Sequence, residues 1–170
     1  TMKAQAQQEA DAKDYDNAIR TVNTLANIVG NTDELKALSQ QYAEQKNYQY
    51  IKVTCTNKGV IPKNTNRWIF SNYVTFVFDL TNNSDKAIKG VQGILHINDL
   101  FGSSIMDVRC DFTGHTIQPH ETYTNNDLSY DVNEFSDTDM KLYNEDYSDL
   151  NFEYEPTTIV FTDGTSVVLS

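Results

Sequence analysis

The rhythm of apolar and polar residues changes near residue 48. Before it, Ala18, Val22, Leu25, Ala26 and Val29 recur at helical spacing with Ile19 beside them. Gly30 and Asn31 tolerate the left-handed conformation of a helix end and stop that helix. Thr32 is a cap for the next one, with Asp33 and Glu34 at its positive end and Leu35, Leu38 and Tyr42 along its apolar stripe. This pattern predicts an α-helical hairpin over 1–47. From Tyr48 the period becomes two. Ile51, Val53 and Cys55 give a first strand, and Asn57 to Arg67, with Gly59 and Pro62, reads as a loop. Val74, Phe76, Phe78 and Leu80 alternate with Tyr73, Thr75, Val77 and Asp79 in a strand with one buried face. Asn82 to Asp85 are turn formers, and Val91, Leu95 and Ile97 rebuild the stripe, with Gly90 and Gly93 marking a bulge or a close backbone approach.

Further strands follow over Ser104 to Phe112, over Glu121 to Val132 and from Leu150 until Pro156 interrupts it, with an irregular acidic stretch at 133–149 holding a helical turn near Met140 to Tyr143. The chain closes on Thr157 to Thr162 and Thr165 to Leu169 around Asp163-Gly164, the signal for a two-residue hairpin turn. In that register Ile159 and Phe161 share a face with Val168, and Val160 shares the other with Val167, which implies strands covered on both sides. Short strands at this spacing predict a mainly β protein: an antiparallel immunoglobulin-like β-sandwich over 48–170, preceded by the helical hairpin. The buried tryptophan and disulfide of true immunoglobulin domains are not evident, since Trp68 sits before the second strand.

Two resemblances add to this. Lys13-Asp14-Tyr15 is echoed by Lys46-Asn47-Tyr48 at close to the ~34-residue period of tetratricopeptide repeats. Asp14 to Ile19 resembles the start of a second repeat helix, and Asp33 to Tyr48 the first helix of the next unit. One and a half units are too few for a peptide groove, so the segment reads as a spacer or cover. In the β region VTFVFDLTNNSDKAIKGV, then DLFG, then TIVFTDGT resemble the immunoglobulin-like domains of uncharacterised bacterial surface lipoproteins, with Asn82 to Val91, Asp99 to Gly102 and Ile159 to Thr165 on the shared features. The resemblance implies export, an extracytoplasmic and cell-surface location, and a lipid anchor on a cysteine upstream of Thr1. It carries no activity with it.

Charge narrows the partners. The formal net charge is −11, which disfavours nucleic acid and anionic membrane surfaces. No run reaches the ~18–20 apolar residues of a membrane span, and Thr1 to Asp16 is polar, unlike a signal peptide. Cys55 and Cys110 fall on apolar strand faces, where a disulfide or two buried free thiols both fit. No GxSxG, HExxH, P-loop or GxGxxG motif occurs, so no catalytic, cofactor-binding or metal residue is assigned. His96 reads as a surface strand position, and His115 and His120 as loop residues lacking a third ligand. Asn82-Asn83-Ser84 matches a glycosylation acceptor, with turn formation the competing role of its asparagine.

The acidic belt at 127–155 stands out. It holds ten carboxylates against Lys141, interleaved with aromatics, and lacks the ligand order of a calcium loop. Asp137, Asp139, Tyr143, Glu145, Asp146 and Tyr147 are its candidate partner surface. The expected function is a non-enzymatic extracytoplasmic binding module that contacts a protein or glycan at the cell envelope. The alternative is a sugar-binding accessory domain of an extracellular enzyme or transport system, acting through exposed tyrosines.

Overall fold

Thr1 opens the first helix by accepting a hydrogen bond from the Ala4 N–H at 3.3 Å, and Asp14 and Thr32 cap the next two in the same way, on Asn17 and Leu35. The resulting helices are α1 (Met2–Asp11), α2 (Tyr15–Val29) and α3 (Asp33–Tyr48). The computed structural model describes residues 1–169, and it divides into two compact units that part between Tyr50 and Ile51. In the helical unit Ala6, Ala10, Ala18, Val22, Leu35 and Tyr42 form the core. Tyr42 Oη donates to Gln7 Oε1 at 3.3 Å, and Lys46 pairs with Asp16 at 2.7 Å. The expected hairpin therefore has a third member. The buried face of α1 is Ala6 and Ala10, too small to register as an apolar stripe among glutamines.

The second unit contains β1 (Ile51–Ile61), β2 (Tyr73–Asn82), β3 (Ile88–Asp99), β4 (Ser104–Phe112), β5 (Thr122–Asp131), the helix α4 (Asp137–Asn144), β6 (Leu150–Phe161) and β7 (Ser166–Val168). All pairings are antiparallel, in a three-stranded sheet ordered β1-β2-β5 and a four-stranded sheet ordered β4-β3-β6-β7. The protein is thus mixed α and β with a sheet-rich core. Val74, Phe76, Phe78 and Leu80 are all buried, as their alternation predicts. Phe78 meets Phe112 edge-on at 5.0 Å between ring centroids and Tyr154 at 6.2 Å, and Phe76 meets Phe152 at 6.2 Å, so the two sheets pack through aromatic side chains. Among the described residues no helix is long and apolar enough to cross a membrane.

Asn82 fixes the passage from one sheet to the other. It is fully buried; its Nδ2 donates to the carbonyls of Lys86 and Ile117 at 2.8 and 3.0 Å, and its Oδ1 accepts from the Ser84 N–H and hydroxyl. Every polar atom of the side chain is used, which is the turn role and leaves no amide for a glycan. Gly93 lies where Tyr154 crosses β3. A Cβ there would sit 2.4 Å from both Glu155 O and Tyr154 Cζ, and the Tyr154 hydroxyl passes on to donate to Cys110 O at 2.8 Å. The β3–β6 register shifts at both Gly90 and Gly93, in keeping with the bulge expected there.

Three boundaries differ from the sequence pattern. β1 continues to Ile61 through a bulge between Cys55 and Asn57, so half of the expected 57–67 loop is strand; Gly59 is there because Thr75 Oγ1 would lie 2.9 Å from a Cβ. β6 passes through Pro156, which occupies an irregularity opposite Gln92 and Gly93 where no ladder N–H is required. The last hairpin has three loop residues: Phe161 and Thr165 close it, and only Gly164 has positive φ, +83°. That moves the register by one. Ile159 pairs with Val167, and Val168, opposite Thr158, is 73% exposed, so the second face of this hairpin is not covered.

Candidate functional site

Three connections meet at one end of the β unit: 62–72 between β1 and β2, 100–103 between β3 and β4, and 132–149 between β5 and β6. Asn72 ties two of them together. Its Nδ2 donates to Glu134 Oε1 at 2.8 Å, its carbonyl accepts from the Val132 N–H at 2.9 Å, and its Oδ1 accepts from the Lys63 N–H at 2.7 Å. Lys141 on α4 reaches Asp99 at 3.5 Å and joins the third. The Asp99 carboxylate also accepts the Ser103 and Phe101 N–H groups; the Ser103 bond leads the effects that hold its pKa below the ordinary aspartate value.

This braced frame carries large apolar side chains into solvent. Trp68 is 81% exposed, Phe101 94% and Phe135 98%, with Phe70 and Leu100 exposed beside them in sequence. Trp68 has φ +59° at the end of a single 3-10 turn and meets Phe70 edge-on at 6.2 Å. Of the exposed large apolar residues described in the β unit, only Val168 lies away from this end. A monomer leaves single apolar residues in water without consequence; a group of aromatics on converging loops marks a contact surface. Periodicity missed all of them. Their signal was the opposite of a pattern, namely lone aromatics inside turn-rich strings such as Asp99-Leu100-Phe101-Gly102 and Asn133-Glu134-Phe135-Ser136.

The acidic candidates lie at the same end but divide by role. Asp139 is 5% exposed and belongs to the frame. Its Oδ2 accepts from Tyr130 Oη and the Asn133 N–H, both at 2.9 Å, and its Oδ1 from Ser136 Oγ at 2.8 Å. Burial works against its charge, and these donors overcome it, so its pKa lies below the ordinary value. Asp139 is therefore corrected from partner surface to internal brace. Tyr147 stacks on Phe152 at 5.3 Å and donates to Cys55 O at 2.9 Å, and Tyr143 is half-buried with its hydroxyl 3.5 Å from Asn72 Oδ1. The carbonyls of Tyr143 and Glu145 accept from Lys58 Nζ, whose pKa is lowered by burial against the opposing pull of Asp146 and Glu145. Asp137 and Asp146 remain as exposed carboxylates of this set, with Glu145 half-exposed.

Elsewhere, His96 bridges Asp107 at 2.8 Å and Glu155 at 3.1 Å across β3, β4 and β6. Cys55 and Cys110 are buried free thiols, and burial pushes both up to about 12. His115 and His120 each face a carboxylate, Glu121 and Asp85 respectively, and among the described residues no group of three His, Cys, Asp or Glu is placed to hold a metal ion.

No family model matches the chain, and no curated protein matches it. A solved structure described as the X-ray structure of Northeast Structural Genomics Consortium target SoR45 aligns with 71% of this chain and 82% of its own, at 13% identity and a TM-score of 0.36. That degree of likeness transfers neither fold nor function.

Proposed function

We propose that the protein is a non-enzymatic extracytoplasmic binding module whose β unit docks a protein of the cell envelope through its aromatic loop end. The observation that carries this is the exposure of Trp68, Phe101 and Phe135 on three loops that hydrogen bonds and an ion pair brace from behind. Rigid aromatics give contact area at low entropic cost, because few torsions are frozen on binding. Around them Glu134, Asp137 and Asp146 are exposed carboxylates, which suits a partner with an apolar centre and a basic rim. The strand order supports an immunoglobulin-like sandwich: first, second and fifth strands face third, fourth, sixth and seventh, with crossings after β2, β4 and β5. The three short helices fit a spacer of one and a half tetratricopeptide units. The surface location rests on the motif resemblance to lipoprotein domains.

The test places a photo-crosslinking residue at Phe135, or at Gln118 on the opposite end, in otherwise intact protein incubated with envelope preparations. One saturable crosslinked species from position 135, absent from position 118 and abolished by Trp68→Ser with Phe101→Ser, is expected. The same species from both positions, or its survival in the double variant, refutes docking through this end.

A further inference from the structure

The two sheets leave an open side between their edge strands, β4 and β5, and a cleft of about 430 Å³ lies there, lined by residues that include Phe112, His115, Tyr123, Asn125, Asp127 and Leu128. It is distinct from the aromatic end: it runs from the 113–121 connection toward the middle of β5. We propose that this cleft binds a neutral pyranose sugar.

The sequence of β5 explains the cleft. Tyr123, Asn125 and Leu128 are register partners of Leu80, Phe78 and Phe76, so they occupy the inner side of an edge strand, yet they are only half-buried. The β2–β5 register breaks between Phe76 and Phe78, where two residues, Asn126 and Asp127, oppose Val77 alone and form a bulge. A bulge re-aims side chains, and this one brings Asn125, Asp127 and Leu128 to the wall of one cleft although strict alternation would separate them. The imidazole of His115 lies flat on the Tyr123 ring, 3.9 Å between centroids and 13° between planes.

The lining selects the ligand chemistry. The Asp127 carboxylate, Asn125 Nδ2, Thr113 hydroxyl and Tyr123 hydroxyl make no hydrogen bond to another described residue, so acceptors and donors are both available at the wall. A planar carboxylate and a planar amide match adjacent hydroxyls, which both donate and accept. No lysine or arginine lines the cleft, which disfavours an anion, and Asp111 is already paired with Arg109 at 3.2 Å, which weakens the attraction for a cation. The lining is mostly polar, with apolar contact limited to Phe112, Leu128 and the stacked rings, which suits a hydroxyl-rich ligand and is too little for a hydrocarbon one. The volume falls in the ~300–1,000 Å³ range of small-molecule sites.

The experiment is titration of the full chain, followed by ¹H–¹⁵N NMR, with methyl β-D-glucopyranoside, methyl α-D-mannopyranoside and methyl N-acetyl-β-D-glucosaminide, each to its solubility limit. N-acetyl-lysine methylamide serves as the cationic probe. At least one pyranoside is expected to give saturable shifts confined to 111–128. Asp127→Ala, an exposed bulge position, is expected to raise its dissociation constant about tenfold or more, the loss of one hydrogen bond to a charged group. Thr113→Val is the second variant, expected to weaken binding less. Saturable shifts from the lysine probe alone, no saturable shift from any pyranoside, or shifts that both variants leave unchanged would overturn the proposal. The aromatic-end variants are expected to bind the sugar as the native chain does, which separates this site from the docking surface.

Discussion

Removing the Asp139 carboxylate should unfold the frame under the aromatic end, whereas neutralising it should only weaken that frame. Asp139→Ala leaves the part-buried Asn133 N–H and the half-buried Tyr130 hydroxyl without their acceptor and takes a partner from Ser136 Oγ. Each abandoned buried group costs about 1–3 kcal/mol. Two such groups, with some relief from water at both, give about 2–3 kcal/mol. Asp139→Asn keeps one oxygen for the Tyr130 and Asn133 donors, and the Ser136 hydroxyl can turn to accept from the new amide. Its cost is the charge assistance, about 1 kcal/mol. The pH dependence has a definite sign. The Asp139 pKa is depressed in the folded protein. Its contribution is therefore fully present above the unfolded value of about 3.9 and lost as pH falls through the lower folded value. Urea unfolding followed by far-ultraviolet circular dichroism at pH 7 and at stepped acid pH measures all three quantities. Equal stabilities for the alanine and asparagine variants, or an alanine variant within about 0.5 kcal/mol of the native chain, would show that these hydrogen bonds do not brace the loops.

Gly93→Ala should cost about 3 kcal/mol or more in the same assay, because the new methyl meets backbone at Glu155 and Tyr154 can yield only by leaving Cys110 O; a cost below about 1 kcal/mol would refute the close approach. Cys55 and Cys110 should resist a thiol reagent in the native state at neutral pH, their pKa values being about 12, and titrate as two thiols once denatured without reductant; recovery of none would mean a bridge. His96 should titrate by NMR above the ordinary histidine value, since the Asp107 hydrogen bond, then that of Glu155, favours its charged form. The raised pKa means stability present below about 6.5 and lost as pH rises through the folded value, and His96→Gln should remove that dependence; a titration at or below the ordinary value refutes the bridge.

What the sequence disclosed follows from which forces act locally. β2 was legible because one face of it is fully dry, so each inward position had to be apolar: Val74, Phe76, Phe78, Leu80. β1 past Cys55 was not, because there the strand is held by backbone pairing and a bulge, and no apolar stripe marks it: Asn57 faces water, Gly59 has no side chain, and Lys58 reaches the carbonyls of Tyr143 and Glu145. The hairpin at Asp163-Gly164 shows the finer limit. A positive φ at glycine is compatible with two loop lengths, and the choice was made by Asp163, whose Oδ1 accepts the Thr165 N–H at 2.9 Å and so favours a three-residue loop. α4 was legible in part. Ser136 accepting from the Asp139 N–H, with the Asp139 carboxylate returning a bond to the serine hydroxyl, is a cap variant whose Ser-x-x-Asp spacing stands in the sequence. Reading that spacing would have placed Asp139 inside the structure rather than on a partner surface.

The candidate sites mark a different boundary. A contact surface is defined by what fails to be buried, and pattern analysis scores only what succeeds. Phe76 and Phe135 are the same residue chemically; one lies between two sheets and the other in solvent, and only strand alternation around Phe76 tells them apart. The cleft is harder still. Tyr123, Asn125 and Leu128 belong to one side of an edge strand, but Asp127 joins them through a bulge and His115 through a loop. Neither event has a periodic signature, since a bulge is an interruption of period and a stack of two rings depends on where a loop returns. Both proposed sites therefore lie where the sequence pattern breaks. The breaks at 66–70, 99–102, 125–128 and 133–136 are the positions at which substitutions should alter binding while leaving the aromatic core between the sheets intact.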